Sequence, residues 1–200
     1  MQLLSEDSVA HSPLEELTAW LDDARRKGVA EHLDVALATV DEQGHPDARV
    51  VVVRDIDERG LTFLSDNRSR KGRQLASQPR AAMSAYWPAL RRHVRVRGTV
   101  ALLPAAVSDE VFRSRPRRSQ IGYWANRQSE PIADRAALED QLHATRRRFE
   151  DVDLERPDHW QVYTLQPDFV EFWQSGAMHL HDRIAYTRVG AGWTIERLQP

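Results

Sequence analysis

The sequence predicts a mainly β protein with peripheral helices (α+β), built as a closed or split antiparallel β-barrel. Roughly eight short segments carry β-branched or alternating apolar residues, and short turns join most of them. Only two or three stretches have the spacing of an amphipathic helix, so helices are expected on the outside. Closure into a barrel is favoured because it removes exposed sheet edges.

The composition indicates one soluble globular domain over residues 1–200, with a flexible polar arm over residues 1–11. Hydrophobic residues make up 41% of the chain and charged residues 29%, while the net charge of −2 gives no overall attraction to nucleic acid or membranes. The absence of cysteine excludes disulfides and zinc–thiolate sites. No signal peptide and no apolar run of membrane length is apparent, so a cytoplasmic protein is expected.

The first helix is predicted to begin at Ser12–Glu15, a capping box with proline at the first helical position, and to end near Gly28. The run Ala48–Arg54 reads ARVVVVR, and its four valines predict a strand that is covered on both faces. Together with its neighbours it forms an antiparallel meander, for which the predicted strands are 35–40, 48–54 and 61–65.

A short helix is predicted over Ser69–Ala76, and its first turn carries Arg70, Lys71 and Arg73. Cations at a helix start oppose the helix macrodipole, so this is an unfavourable local choice. A bound phosphate at the same helix start would reverse that penalty. An exposed basic turn without a ligand is the alternative interpretation.

Two further helices and six further strands are predicted in the rest of the chain. Ser108 is expected to cap a helix that runs to about Ser114, and Asp134–Glu150 is expected to form a longer helix. The core positions predicted for that longer helix are Leu138, Leu142 and Phe149. The remaining strands are predicted at 81–87, 93–103, 160–165, 169–174, 184–188 and 193–198.

The segment Arg113–Ser129 contains five arginines with serine, glutamine, tyrosine and tryptophan among them. Pro116 and Gly122 interrupt it, so neither a strand nor an amphipathic helix is predicted there. Guanidinium groups bind phosphates in forked, charge-assisted pairs, which suggests a wall for a phosphorylated ligand. A solvated basic loop is the alternative.

Motifs for familiar acid–base or nucleophilic chemistry do not occur in the sequence. His179 and His181 would share one face of a strand, but no third metal ligand accompanies them, so no metal site is predicted. Basic clusters and many aromatics with little acid–base machinery indicate a bound cofactor that carries the chemistry.

Several stretches together resemble the pyridoxine/pyridoxamine 5′-phosphate oxidase family of FMN-dependent oxidases, to which the flavin oxidases of phenazine biosynthesis are related. The matching stretches are Arg49–Arg54, Ser69–Lys71, Ser114–Trp124, Gln128–Ser129, Glu171–Gln174, Leu180–Arg183 and Glu196–Pro200. The resemblance implies an FMN-binding split barrel that forms a homodimer, with FMN at the subunit interface and a small-molecule substrate.

The resemblance also implies an FMN site. The residues at the family's FMN-binding positions are Arg49, Val50, Leu64, Ser65, Arg70, Lys71, His93, Gln128, Ser129, Trp173 and Arg183. Two of these depart from the family pattern, because His93 stands where glutamine is usual and Leu64 where tyrosine is usual.

The substrate positions match the family less well. They read Arg54, Val111, Arg115, Ser119, His179 and His181, with Arg115 and His181 as the catalytic candidates. Arg54 replaces a lysine, Val111 a tyrosine and His179 an arginine. Since loss of a hydrogen-bonding partner changes discrimination strongly, the resemblance implies an oxidase with a diverged pocket, which passes hydride to FMN and then to oxygen. A genuine pyridoxine/pyridoxamine phosphate oxidase and a flavin-binding protein without turnover remain as alternatives.

Overall fold

The computed structural model describes residues 4–150 and 152–200. Within these residues the strands are β1 (Asp34–Val40), β2 (Pro46–Asp57), β3 (Gly60–Asp66), β4 (Arg80–Trp87), β5 (Arg92–Leu102), β6 (Trp160–Gln174), β7 (Asp182–Val189) and β8 (Gly192–Arg197). The helices are α1 (Pro13–Arg26), α2 (Arg70–Ser77), α3 (Ala105–Arg113), α4 (Arg117–Ala125) and α5 (Arg135–Arg148).

Six of the strands close into an antiparallel barrel. The sheet order is β3-β2-β1-β4-β5-β6-β7-β8, and β3 also pairs with β6, which joins the two ends of the six-stranded part. β7 and β8 then extend the sheet beyond the barrel from β6. The predicted split antiparallel barrel with outer helices is therefore confirmed.

The barrel core follows from the alternation of side chains along each strand. Leu37, Met83, Val96 and Val170 occupy one register row across four neighbouring strands, and all four point inward. None is more than 2% exposed. Burying an aliphatic side chain of this size contributes about 1.5–3 kcal/mol, so rows like this one stabilise the barrel.

Helix α1 packs against the barrel through Leu17, Trp20 and Ala24. The Trp20 ring meets Phe172 edge to face at 5.0 Å. Ser12 does not form the predicted side-chain cap. The carboxylate of Glu16 instead accepts a hydrogen bond from the backbone N–H of Ala10 at 3.0 Å, which ties the first turn of α1 to the preceding segment.

The sequence predicted two strands at 160–165 and 169–174, but the structure has the single strand β6. Pro167 lies between the two predicted strands, and proline cannot donate to a sheet ladder. A register shift between Arg97 and Gly98 of β5 accommodates it, and Gly98 pairs with Pro167. A Cβ at Gly98 would lie 2.0 Å from the carbonyl oxygen of Gln166, so only glycine allows this close approach.

The segment around Pro116 also differs from prediction. Residues Arg117–Ala125 form α4, because Pro116 sits just before the helix, where its missing N–H costs nothing. Ser108 lies inside α3 rather than at its start, and its hydroxyl accepts a hydrogen bond from Val162 N at 3.1 Å.

Two predicted core assignments are wrong for the single chain. Helix α5 has no buried residue; Leu142 is exposed, and Leu138 and Phe149 are only half-buried. In the valine strand, Val51 and Val53 are buried, whereas Val50 is 67% exposed. One face of β2 is therefore open, not covered as expected.

Residues 4–11 pack against β7 and β8 and are not a flexible arm; residues 1–3 lie outside the described part. Leu4 is 8% exposed, and its backbone N–H donates to Asp182 at 3.2 Å. Arg197 donates to the Leu4 carbonyl at 2.8 Å, and the Tyr186 hydroxyl donates to the Ala10 carbonyl at 2.7 Å. No helix in the described ranges combines the length and apolar character that a membrane span requires.

Candidate functional site

The start of α2 is a tightly built corner. The Ser69 hydroxyl caps the helix by accepting a hydrogen bond from Gly72 N at 3.2 Å. A Cβ at Gly72 would come within 2.4 Å of the Asn67 carbonyl oxygen, so glycine lets the helix lie directly on the preceding loop. The Arg70 side chain is 68% exposed, whereas Lys71 is only 7% exposed. The two adjacent cations therefore occupy different environments.

Lys71 is a buried cation with neutral neighbours. Its Nζ lies 2.8 Å from Gln128 Oε1 and 3.4 Å from Ser69 Oγ. No carboxylate within residues 4–150 and 152–200 forms an ion pair with it. Burial, and then repulsion by Arg49, lower the pKa of Lys71 from 10.5 to about 8. A buried cation without an anionic partner suits a site that receives an anionic ligand.

Arg49 lies beside the start of α2, and several hydrogen bonds hold its side chain in place. Its guanidinium donates to Thr39 Oγ1 at 2.6 Å and to Gln74 Oε1 at 3.1 Å, and it pairs with Asp47 at 2.7 Å. Thr39 and Gln74 are themselves buried and joined by a 2.6 Å hydrogen bond. The guanidinium is therefore fixed in direction before any ligand binds.

Other predicted residues complete this region. Ser65 is buried, with Oγ 3.4 Å from Ser69 Oγ. Gln128 follows α4 and is exposed apart from its bond to Lys71, while Ser129 has a φ of 74°, an unusual value outside glycine. We call Arg49, Ser65, Arg70, Lys71 and Gln128 the cationic group. Leu64 packs instead in a second apolar cluster with Phe112 and Trp160.

A second set of predicted residues lies on β5, β6 and β7. His93, Trp173 and Arg183 are direct cross-strand partners in one register row. The Trp173 ring lies 4.8 Å from the ring of His181, whose Nδ1 accepts a hydrogen bond from Gly176 N at 3.2 Å. We call His93, Trp173, His181 and Arg183 the aromatic group.

His93 is half-buried, with Nε2 2.8 Å from Ser84 Oγ. Burial lowers the pKa of His93, repulsion by Arg95 lowers it further, and the Glu171 carboxylate opposes both. A neutral imidazole has one donor and one acceptor nitrogen, as a glutamine side chain has one donor end and one acceptor end. His93 can thus take the hydrogen-bonding role of the glutamine that is usual at this position.

The substrate candidates occupy helix ends and loops. Val111 and Ser119 are half-buried on α3 and α4, and Arg115 lies between the two helices. The Arg115 Nε is buried and has no hydrogen-bond partner in the described residues. Buried donors are nearly always satisfied, so this nitrogen is a place where a ligand, a water molecule or another chain could supply an acceptor. Arg54 is exposed on β2.

His179 is exposed in a short strained turn. It has a φ of 61°, and Met178 before it has a φ of 50°. Such values are costly for residues with a Cβ and are often retained at functional sites. A Cβ at Gly176 would lie 1.8 Å from the Leu180 carbonyl oxygen, so the turn closes tightly onto its own start. The ring of His179 meets the ring of His181 edge to face at 5.9 Å, so the turn places His179 beside the contact between Trp173 and His181.

The predicted residues fall into separate groups on one chain. No hydrogen bond or ion pair joins the cationic group to the aromatic group within the described ranges. The sequence interpretation missed three buried polar residues that support these groups: Thr39 and Gln74 beside Arg49, and Glu171 beside Arg183. A polar residue at an inward strand position was the signal available for Thr39.

Two family models match the chain. The pyridoxamine 5′-phosphate oxidase model matches residues 21–149, and the model for the pyridoxine 5′-phosphate oxidase C-terminal dimerisation region matches residues 160–200. The second match contains Trp173, His181 and Arg183.

Individual relatives agree with these matches. The pyridoxine/pyridoxamine 5′-phosphate oxidase of Cyanothece sp. is 41% identical over 199 residues, which cover 100% of this chain and 93% of that protein. PhzG from Burkholderia lata, solved with tetrahydrophenazine-1-carboxylic acid, superposes with a TM-score of 0.93 at 30% identity, covering 100% of this chain and 98% of that one.

A more distant solved structure shows the shared fold. It is a pyridoxamine 5′-phosphate oxidase-related, FMN binding protein from Nostoc punctiforme, with a TM-score of 0.75 at 22% identity, covering 94% of this chain and 98% of that one. The family models and the full-length relatives lead to the same conclusion: this chain belongs to the pyridoxamine 5′-phosphate oxidase family.

Proposed function

We propose that this protein is an FMN-dependent oxidase whose substrate is a reduced, nitrogen-containing aromatic compound or amine other than the usual vitamer. The observation that carries the proposal is Lys71, a buried ammonium with no anionic partner in the described residues at the start of a helix. A terminal monophosphate supplies the missing charge and also suits the N-terminus of α2. FMN has such a phosphate.

The residues present fit FMN in two places. The cationic group would hold the phosphate, with Arg70 and Lys71 as charge-assisted donors and Arg49 fixed in direction beside them. Trp173 and Arg183 would bind the flavin portion, and His93 would offer it one neutral hydrogen bond. When bound, FMN supplies the hydride acceptor that none of the side chains provides, and reoxidation by oxygen gives hydrogen peroxide.

The cofactor site is proposed to form between two copies of this chain. The cationic and aromatic groups are not bonded to each other in one chain, and three of the four residues of the aromatic group, Trp173, His181 and Arg183, lie inside the segment matched by the dimerisation-region model. The open face of β2, where Val50 is 67% exposed, offers apolar surface for the second copy. An isologous homodimer is the simplest arrangement that brings the two groups together twice.

The substrate would bind beside Arg115 and His181. The unpartnered Arg115 Nε is available to an acceptor on the substrate, and Ser119 can add a neutral hydrogen bond. Because His181 Nδ1 accepts from the backbone, the proton of a neutral ring lies on Nε2, from which the ring can donate to substrate. These residues orient the substrate for hydride transfer and support turnover over simple flavin carriage.

The vitamer oxidase activity is the second candidate, because a full-length relative at 41% identity carries that name. Against it, Val111 has no hydroxyl, and the exposed His179 replaces a permanently charged arginine of the family pattern. The close superposition with PhzG, which was solved with a tetrahydrophenazine, favours an aromatic nitrogen heterocycle.

Oxygen uptake by the FMN-loaded protein separates these possibilities. Pyridoxine 5′-phosphate, pyridoxamine 5′-phosphate and a dihydrophenazine carboxylate should be compared at equal concentrations, with peroxide measured as the product. The proposal expects the heterocycle to be oxidised much faster than either vitamer. Efficient vitamer oxidation supports the second candidate, and FMN binding with no turnover of any of the three contradicts both enzyme assignments.

A further inference from the structure

Glu171 is a buried carboxylate that contacts Arg183 of the aromatic group. It lies on β6 with 3% of the residue exposed. One carboxylate oxygen accepts from Arg183 Nε at 2.8 Å, and the other pairs with Arg95 on β5. Burial would raise the pKa of Glu171, but the hydrogen bonds from Arg183 and Arg95 outweigh it and hold the pKa below its usual value. The group therefore remains ionised at neutral pH.

The hydrogen bond from Arg183 to the Glu171 carboxylate fixes one edge of the Arg183 guanidinium. Arg183 Nε donates to Glu171, and Arg183 Nη1 donates to the Gln199 carbonyl at 2.9 Å. In the described part of the chain, the remaining nitrogen, Nη2, forms no hydrogen bond. Since a guanidinium is planar, fixing two of its nitrogens also fixes the direction of the third.

The position of Glu171 in the sheet places this arrangement next to the proposed flavin surface. Arg95 and Glu171 are cross-strand partners, and the next outward-facing row along the sheet contains His93, Trp173 and Arg183. A buried ion pair of this kind is weak evidence for stability, because desolvation offsets much of the attraction between the charges. Its place beside the proposed flavin surface points to another role.

We propose that Glu171 is a positioning residue for the flavin: it orients Arg183 so that Nη2 meets the cofactor, and its negative charge offsets Arg95 and Arg183 beside the ring. The inference rests on the proposed function. Glu171 acts through Arg183 and makes no contact with the substrate. Two effects follow, one on FMN affinity and one on the flavin reduction potential.

The test compares Glu171→Gln with Asp23→Asn, a matched change in a carboxylate that pairs with Arg92 at 2.8 Å on a different part of the fold. FMN affinity of the flavin-free protein is measured by quenching of flavin fluorescence. Glu171→Gln should bind FMN about tenfold more weakly, as expected for one charge-assisted hydrogen bond, and Asp23→Asn should match wild type. Loss of the negative charge should also shift the flavin potential to more positive values, because a more positive site favours the electron-rich reduced ring.

A double-mutant cycle shows whether Glu171 acts through Arg183. In an Arg183→Gln background, Glu171→Gln should weaken FMN binding no further. Glu171→Asp keeps the charge but withdraws it by one methylene, so affinity should fall while the potential changes little; this variant also serves if Glu171→Gln does not fold. Equal FMN affinity and potential in wild type and both Glu171 variants would overturn the inference. A wild type that binds no FMN would instead overturn the proposed function.

Discussion

The Nζ of Lys71 lies 2.8 Å from the side-chain oxygen of Gln128, a residue 57 positions away in sequence. This single hydrogen bond joins the start of α2 to the segment after α4, and so brings together two stretches that carried the family resemblance separately. Gln128 satisfies one donor of the ammonium but leaves its charge unbalanced, because an amide oxygen is neutral. The site is thus prepared for an anion.

Removing the two cations at the start of α2 should weaken FMN binding strongly. Each charge-assisted hydrogen bond contributes about 1.5–3 kcal/mol. The double variant Arg70→Ala with Lys71→Ala should therefore raise the dissociation constant for FMN by at least about two orders of magnitude. Fluorescence-quenching titration measures this effect. The matched control is Arg25→Ala with Lys27→Ala on α1, which removes the same charge elsewhere and should leave the affinity unchanged. Equal affinities in both double variants would contradict the phosphate assignment.

FMN affinity should fall as the pH rises through about 8. The charged form of Lys71 pairs with the phosphate dianion, and burial and then Arg49 lower the pKa of Lys71 in the flavin-free chain from 10.5 to about 8. Above that pH the neutral amine of Lys71 must first take up a proton to bind the phosphate, which costs affinity. Titrations between pH 7 and pH 10 should show this loss, and Lys71→Met should bind weakly with little pH dependence. A wild-type affinity that stays constant over this range would contradict the assignment.

The same pKa has an opposite effect on folding in the absence of FMN. Between about 8 and 10.5 the unfolded chain holds the Lys71 proton more tightly than the folded chain does. The contribution of Lys71 to the stability of the flavin-free protein should therefore increase as the pH rises through that window. Urea unfolding of wild type and Lys71→Met measures the difference, and the Lys71 variant should lack this contribution.

Thr39 should support FMN binding without touching the ligand. Its hydroxyl donates to Gln74 and accepts from Arg49, both at 2.6 Å, so Thr39→Val removes two bonds at nearly constant volume. Only the bond to Arg49 bears on the ligand, and with a net value of about 1 kcal/mol for one hydrogen bond, FMN affinity should fall roughly fivefold. Thr62→Val is the control, since Thr62 is also buried but bonds to the Asp55 carbonyl instead. If both variants keep wild-type affinity, the orientation of Arg49 does not depend on Thr39.

Much of the barrel could be predicted from the chain because β1, β4 and β5 alternate between buried and more exposed positions, and the valines of β2 favour a strand. Two of the differences from prediction involve proline. Pro167 was read as the end of a strand, yet the register shift opposite it at Gly98 lets β6 continue. Pro116 was read as a helix breaker, yet it stands immediately before α4, where proline is favourable. Each outcome depends on the position of the proline relative to its neighbours, which composition alone does not reveal.

The site was predictable where a residue's chemistry is visible without its contacts. Arg70 and Lys71 drew attention because cations are unfavourable at a helix start. Gln74 and Glu171 gave no such signal, because their roles arise from distant partners, Arg49 on β2 and Arg183 on β7. Supporting residues of this kind become recognisable only when the strand register is known.

Two defective variants should restore a site when they are combined in one dimer. If the cationic group of one copy and the aromatic group of the other form each site, a heterodimer of Lys71→Ala and Arg183→Gln contains one intact site and one doubly defective site. Coexpression with two different purification tags would isolate this heterodimer. It should bind one FMN tightly per dimer, whereas each variant homodimer should bind weakly. Weak binding by the heterodimer as well would show that both groups act within one chain.

The substrate pocket should respond to restoring the family residues. Val111→Tyr returns a hydroxyl, and a hydrogen bond to a charged phosphate contributes about 1.5–3 kcal/mol, roughly ten- to a hundredfold in binding. His179→Arg returns a permanent cation and a flat guanidinium in the strained turn that now presents an exposed imidazole. The two positions are proposed to face one ligand, so their effects need not add.

The double variant Val111→Tyr with His179→Arg should therefore raise kcat/KM for pyridoxine 5′-phosphate and lower it for the dihydrophenazine. Val189→Tyr, at an exposed position on β7, is the control for an added tyrosine and should change neither value. FMN affinity should also stay constant, because neither Val111 nor His179 belongs to the cationic or the aromatic group. A wild type that already oxidises pyridoxine 5′-phosphate efficiently, and a double variant that is slower, would contradict the diverged pocket, because the valine and histidine would then serve the vitamer as well as the residues they replace.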